Sequence, residues 1–300
     1  MSIVQVRIHQ SQFPDCVRED LLQSLRTRQI LHKFHYDSIK QTQKWLALHE
    51  AYSPARTDAD CVATYDLSFR ETVSALDSPV GQLIGLGCGG GQKETRLLQF
   101  LAGQGRRVRY TPCDVSTAMV LVAHQAALTT LPDAESSPLV CDLSTVPDWR
   151  AIFDCEENET APRLMTFFGM MPNFEPAHAL PQLAQLLRPR DSLLLSANLA
   201  PGPDYAAGVQ QVFPLYDNAM TREWLLTVLL DLGVERSDGE VRFAIEDSGG
   251  LKRIVAWFEF TAARVVAVGA EKFSFNPGER IRLFFSYMHP PELLSRPLRA

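Results

Sequence analysis

Between residues 62 and 198, short apolar runs alternate with stretches patterned as helices. The runs are Gln82 to Leu86, Val108 to Pro112, Pro138 to Cys141, Leu164 to Phe168 and Leu193 to Ala197, each apolar nearly throughout rather than at every second residue. Strands of that kind are buried on both faces, and helices between them make the connections βαβ units. The expected fold is therefore α/β, a doubly wound parallel sheet. The intervening helices carry matching signals. Lys93 to Leu101 presents Leu97, Leu98 and Leu101 on one face and stops at Gly103, Ser116 is placed to cap a second helix, and Pro176 sits where a first helical turn tolerates proline.

The flanking segments have another pattern. Two helices are expected early, one after Asp15 with Leu21, Leu22 and Leu25, the other after Ser38 with Ile39, Trp45, Leu46 and Leu48. A third, capped by Thr221 and ending at Gly233, carries Trp224, Leu225, Val228, Leu229 and Leu232. Strand-like segments near 240–246, 253–260, 263–268 and 279–287 come too close together for helices between them, so they should pair antiparallel. The expectation is a second, smaller α+β lobe built from 1–61 plus 199–287, beside a sheet domain of 62–198 plus 288–300, with a cleft between them.

Composition narrows the function classes. A hydrophobic share of 46% and a charged share of 21% are those of a folded soluble chain, which sets aside disorder and fibres. A formal charge of -6 offers no electrostatic footprint for nucleic acid or anionic lipid. No run approaches the roughly 18 apolar residues of a membrane span, and the start of the chain lacks a secretory pattern, so the expectation is a cytoplasmic protein without a membrane partner. The cysteines at 16, 61, 88, 113, 141 and 155 form no CxxC pair and read as free thiols. His32 and His35 make an HxxH without a third ligand nearby, and no metal is expected.

The chemistry concentrates at strand ends. Leu83 to Leu86 runs into Gly87-Cys88-Gly89-Gly90-Gly91 and then a helix, a turn where backbone can approach a ligand and helix N–H groups point outward. Gly85-x-Gly87-x-x-Gly90 formally satisfies the dinucleotide spacing, so a nicotinamide-dependent dehydrogenase is one reading, although no His or Tyr-Lys grouping accompanies it. Asp114, at the tip of the second strand, is placed to accept both hydroxyls of a ribose. At the third tip, Asp142 either receives an adenine amine, with Leu143 over the ring face, or caps the next helical turn. Asn173 either grips the amine or carboxylate of an amino acid or serves as a turn residue.

Gly85-Leu86-Gly87-Cys88-Gly89, Lys93, Arg96-Leu97-Leu98, Tyr110-x-Pro112-x-Asp114-Val115-Ser116, and Phe168-Gly169 with Asn173-Phe174-x-Pro176 after it, together resemble the histidine Nα-methyltransferases of ergothioneine biosynthesis. Tyr36-Asp37, Tyr52-Ser53-Pro54-x-Arg56-Thr57, Leu215-Tyr216-Asp217, Pro277-Gly278-Glu279-x-Ile281 and Ser286-Tyr287 extend the likeness over most of the chain. The resemblance implies a class I methyltransferase fold, Rossmann-like, that uses S-adenosylmethionine. It implies a donor held at Gly87, Cys88, Gly89, Lys93, Asp114, Asp142 and Leu143, and a small-molecule acceptor gripped by Tyr52, Asn173 and Tyr216. A sensor that binds without catalysis is the remaining alternative.

The departures from that family are specific. Its acidic residue before the first motif glycine is Gly85 here, and Pro172 precedes Asn173 where the family has glycine. The glutamate and serine that hold the family's imidazole fall on Phe284 and Ser286. A polar site missing its partner discriminates more strongly than an apolar pocket missing a methylene, so the expected acceptor is an amino acid or related metabolite other than histidine.

Overall fold

The computed structural model describes residues 3–76, 80–154 and 161–290. Within them the chain forms two compact units. One gathers residues 3–13, 46–171 and 175–196; the other gathers 14–45, 172–174 and 197–290.

The first unit is organised by a parallel sheet of β1 (Arg7–Ile8), β2 (Gln82–Leu86), β3 (Arg109–Asp114), β4 (Leu139–Val140), β5 (Arg163–Phe168) and β6 (Ser192–Ser196). The spatial order is β1-β4-β3-β2-β5-β6. The chain steps outward from β2 through β3 to β4, then returns to the other side of β2 for β5 and β6. The order reverses between β2 and β5, which pair from Gln82↔Arg163 to Gly85↔Thr166. Open α/β sheets bind ligands at the carboxyl ends of the strands at such a reversal, and the glycine turn leaves β2 there.

The helix Gln92–Gly103 buries Leu97, Leu98 and Leu101 against Leu83, Tyr110 and Leu164, and the helix Ala59–Ala75 adds Phe69 and Val73 to the same core. Ser116 caps Thr117–Thr130 as expected, its Oγ accepting the Met119 N–H. The α/β, Rossmann-like reading of this region therefore holds.

The division of the chain differs from the one periodicity suggests. Arg7 and Ile8 pair in parallel with Leu139 and Val140, so the first residues join the sheet unit. A two-residue strand is too short to show a period. Residues 46–61 join it too, leading into the helix whose Phe69 and Val73 are core. Residues 291–300, part of the expected sheet domain, lie outside the described residues.

The second unit is α+β. β8 (Leu251–Phe260) pairs antiparallel with β7 (Gly239–Ser248) on one side and β11 (Arg280–Met288) on the other. β9 (Arg264–Val268) and β10 (Glu271–Phe275) form a separate antiparallel pair. β10 is an addition to the strands expected from sequence. Helices Pro14–Thr27 and Ala219–Asp231 belong here, and the latter is capped by Asn218, whose side chain accepts the Thr221 N–H, rather than by Thr221. Cys16, Cys61, Cys88, Cys113 and Cys141 are free thiols, and Cys155 lies outside the described residues. Among the described residues no helix is long and apolar enough to cross a membrane.

Candidate functional site

The glycine turn is tied to the neighbouring strand by backbone. The N–H groups of Gly87 and Cys88 both donate to the Cys113 carbonyl at 2.9 Å, which holds the end of β2 beside the end of β3. Gly91 starts the next helix at φ 70°, and a Cβ there would stand 2.6 Å from that of Ala123, so only glycine fits. A Cβ on Gly87 would run into the Met170 side chain, the flexible group that covers the turn. The Cys88 thiol is pushed well up by burial and then by the nearby Asp114 and Glu94 carboxyls, which rules it out as a nucleophile near neutral pH.

Asp114 closes this arrangement. Its Oδ2 accepts the Gly89 N–H at 2.9 Å and its Oδ1 accepts the Ser116 N–H at 3.1 Å, so one carboxyl joins the glycine turn to the helix after β3. Burial raises its pKa, while those backbone donors pull the other way. Each carboxylate oxygen accepts more than one hydrogen bond, so the turn contacts leave capacity for hydroxyl donors.

Asp142 occupies the next tip. Its Oδ1 accepts from the Ser144 N–H at 2.9 Å and from the Ser144 hydroxyl at 2.5 Å, which is the local cap, and its own N–H donates to Ser11 Oγ at 3.0 Å. Leu143 is buried, with its carbonyl accepting Trp149 Nε1–H at 2.9 Å. Lys93 stands apart from these carboxylates. Its ammonium lies 4.7 Å from the Tyr65 ring centroid and 5.6 Å from that of Phe168, with no ion pair among the described residues.

One acidic residue adds to those expected from sequence. Glu94, in the first turn of Gln92–Gly103, is buried and accepts the Thr166 hydroxyl at 2.9 Å. Burial raises its pKa. Its Cγ fills the space beside Gly85, 3.2 Å from where a Cβ at 85 would stand. The usable signal is a carboxylate four residues past Gly90, directed inward by a helix whose leucines face the core.

The acceptor candidates divide between the units. Tyr52 ends the helix Ile39–Tyr52 and belongs with the parallel sheet, half-buried and with no hydrogen bond from its hydroxyl among the described residues. Asn173, Tyr216, Phe284 and Ser286 belong to the other unit. There, Tyr216 Oη and Ser286 Oγ lie 3.1 Å apart, and Asn198 Nδ2 donates to Tyr216 Oη at 3.0 Å. The Tyr216 and Phe284 ring centroids are 6.3 Å apart. Burial raises the Tyr216 pKa above its ordinary value, so the hydroxyl keeps its proton. Asn173 is half-buried, and its amide meets no protein partner among the described residues.

Asn198 is an addition to the residues expected from sequence, and His32, which the sequence offers only as half of an HxxH, has a different setting. Asn198 comes after β6 as a polar residue just past a strand end, the same signal that marks positions 114 and 142. His32 stacks on Phe284 with ring centroids 5.1 Å apart and 22° between planes.

The sequence matches the model of the family described as histidine-specific methyltransferase, SAM-dependent, over residues 17–299. The chain belongs to that family. Methyl transfer from S-adenosylmethionine, rather than hydride transfer with a nicotinamide dinucleotide, is thus its chemistry. Among solved structures, an S-adenosylmethionine-dependent methyltransferase from Clostridium acetobutylicum ATCC 824 is similar to this methyltransferase at 11% identity and a TM-score of 0.42, covering 86% of this chain and 85% of that one. Magnesium protoporphyrin IX methyltransferase from Synechocystis PCC 6803, with bound SAH, aligns at 14% identity and a TM-score of 0.35, over 92% of this chain and all of its own. No curated protein sequence matches this methyltransferase.

Proposed function

We propose that this methyltransferase acts on the amine of an amino acid, or of an amino-acid-derived metabolite, other than histidine. The observation that carries the reading is Phe284. The position expected to hold an imidazole-binding carboxylate is a buried aromatic ring, and Ser286 beside it is hydrogen-bonded to Tyr216. An imidazole brought there would leave its N–H without an acceptor, a loss that a polar substrate cannot recover from apolar contact. The same reading assigns the enzyme to the cytoplasm and to secondary metabolism, with a small molecule as its partner.

The residues present suit the donor. The Lys93 ammonium, without an ion pair among the described residues, would hold its carboxylate. Asp114 would accept its ribose hydroxyls with the lone pairs the turn does not use, Asp142 with Leu143 would meet the adenine, and the side-chain-free backbone of Gly87, Cys88 and Gly89 would pass beneath. When bound, the donor supplies an electrophilic methyl on a sulfonium, displaced in line. Catalysis then rests on alignment and exclusion of water, and no nucleophilic side chain is needed.

The acceptor amine has to present a lone pair. Tyr216, kept protonated by burial, donates and accepts without acting as a base. Asn173 offers an amide, and Tyr52 a hydroxyl, that no group among the described residues engages. In this reading the three orient the neutral amine, and its proton leaves to water.

The test is a reaction of the enzyme with isotopically labelled donor and a mixed pool of amino acids and metabolites, resolved by mass spectrometry. Label on a non-histidine amine is expected. Histidine emerging as the preferred acceptor would sink the proposal.

A further inference from the structure

β11 carries a register shift between Arg282 and Phe284: Arg282 pairs with Trp257, whereas Phe284 pairs with Ala256. Such an irregularity re-aims the side chains at its own position, and here it presents Phe284 to a ring of aromatic neighbours. Trp224 meets Phe284 edge-on at 6.1 Å, Tyr216 lies at 6.3 Å, and His32 stacks at 5.1 Å. His32 also lies 4.6 Å from the Phe285 ring.

The orientation of the His32 proton is set by one hydrogen bond. The Phe285 N–H donates to His32 Nε2 at 3.4 Å, so Nε2 is the bare nitrogen. A neutral imidazole that accepts at Nε2 carries its proton at Nδ1. Burial, reinforced by the neighbouring His35 and Arg282, lowers the pKa of His32 to about 3 and keeps it in that neutral form. Nδ1 is buried and has no hydrogen-bond partner among the described residues. Buried donors are almost always satisfied, so an orphaned one calls for a partner that the folded chain does not itself supply.

His35, three residues on, is a useful contrast. Its Nε2 donates to the Leu283 carbonyl at 2.6 Å, which leaves only a lone pair at Nδ1 and no stranded proton. Of the two, only His32 both lies on Phe284 and holds an unspent donor.

We propose that His32 determines which side chain the acceptor carries: its Nδ1–H donates to a neutral lone pair, a pyridine-type nitrogen or carbonyl oxygen, on a planar group lying against Phe284. Aromatic walls favour a flat guest. This inference rests on the reading that the Phe284 and Ser286 end of the second unit meets the acceptor.

Phenylalanine and the three pyridylalanines test it, because they share one shape and differ by a single ring lone pair. With the full chain and saturating donor, kcat/KM for at least one pyridylalanine should exceed that for phenylalanine by about 10-fold, the worth of one good hydrogen bond. His32→Phe keeps a stacked ring without the donor and should bring the ratio close to one. His32→Gln restores an N–H and should recover part of the preference. Donor affinity, measured by titration, reports that each variant is folded. A wild-type ratio near one, or an unaltered ratio in His32→Phe, overturns the role of His32 and leaves the proposed function standing. Preferred turnover of an aliphatic amine with none of these four accepted does the same. Preferred turnover of histidine overturns both.

Discussion

The parallel-sheet unit and the antiparallel unit hold their candidate groups by different means. In the first, backbone does the holding: Asp114 is fixed by the Gly89 and Ser116 N–H groups, and Gly87 and Cys88 are fixed by the Cys113 carbonyl. In the second, side chains hold side chains across long stretches of sequence, Asn198 to Tyr216 and Tyr216 to Ser286, with His32 on Phe284. Backbone donors survive most substitutions, so a region held in this way tolerates a changing sequence. A contact between two side chains is lost or redirected by one substitution. Under the proposed function, the difference would let a family keep its donor while its acceptor changes, with Phe284 as the replacement to test.

The largest effect should come from breaking the backbone-held region. Asp114→Ala removes the acceptor of two turn N–H groups as well as the proposed ribose contact, and two hydrogen bonds to a charged group correspond to about 3 kcal/mol or more, a loss of at least ~100-fold in donor affinity. Isothermal titration with S-adenosylmethionine reads it directly, and wild-type affinity in this variant would break the comparison. Phe284→Glu acts on the other region. Histidine turnover relative to the native acceptor should rise about 10-fold, while stability falls by about 1–3 kcal/mol because a carboxyl enters an aromatic site. A histidine rate that does not rise would show that the aromatic ring is not what excludes imidazole.

Tyr216→Phe is a finer instrument. It removes the hydroxyl between Asn198 and Ser286 and leaves the ring beside Phe284. Acceptor kcat/KM should fall by about 10-fold, the worth of a lost hydrogen bond, with donor affinity unchanged. Equal losses for donor and acceptor would mean that the two regions are not separable into a donor end and an acceptor end.

The same contrast decides what is legible in the sequence. The strands around Leu83, Thr111 and Leu164 are continuous apolar runs, and Gly87, Asp114 and Asp142 stand at fixed offsets from them, so the sheet and its strand ends can be found from spacing. β1 escapes because two residues have no period. The contacts of Asn198 with Tyr216, and of His32 with Phe284, join residues whose separation no local pattern records. In sequence His32 is only half of an HxxH, and the pairing that gives it meaning comes from a strand some 250 residues later. Glu94 escapes for the opposite reason. As an acid in a first helical turn it looks like an ordinary dipole partner, and only the empty Cβ position of Gly85 makes it a buried carboxyl.

The smallest effect comes from one buried titratable group in each unit. The antiparallel unit buries His35, whose pKa burial lowers to about 4, whereas the parallel-sheet unit buries Glu94, whose pKa burial raises. Above about pH 6.5, His35 is neutral whether the chain is folded or not, and its contribution is fully present. As pH falls below 6.5 the unfolded chain takes up the proton first, so stability is lost down to the folded value near 4, by about 1 kcal/mol between pH 6.5 and 5.5. Glu94 works the other way: between its raised folded pKa and its ordinary value near 4.5, the folded state takes up the proton first and gains stability as pH falls. His35→Gln keeps a donor for the Leu283 carbonyl and cannot titrate in this range. Urea unfolding at pH 7.5, 6.5 and 5.5 should therefore show His35→Gln losing about 1 kcal/mol less than wild type between pH 6.5 and 5.5. Glu94→Gln, which removes the opposing gain, should lose more than wild type once the pH falls below the raised folded pKa of Glu94. An identical slope in His35→Gln and wild type would mean that the burial of His35 does not persist in solution.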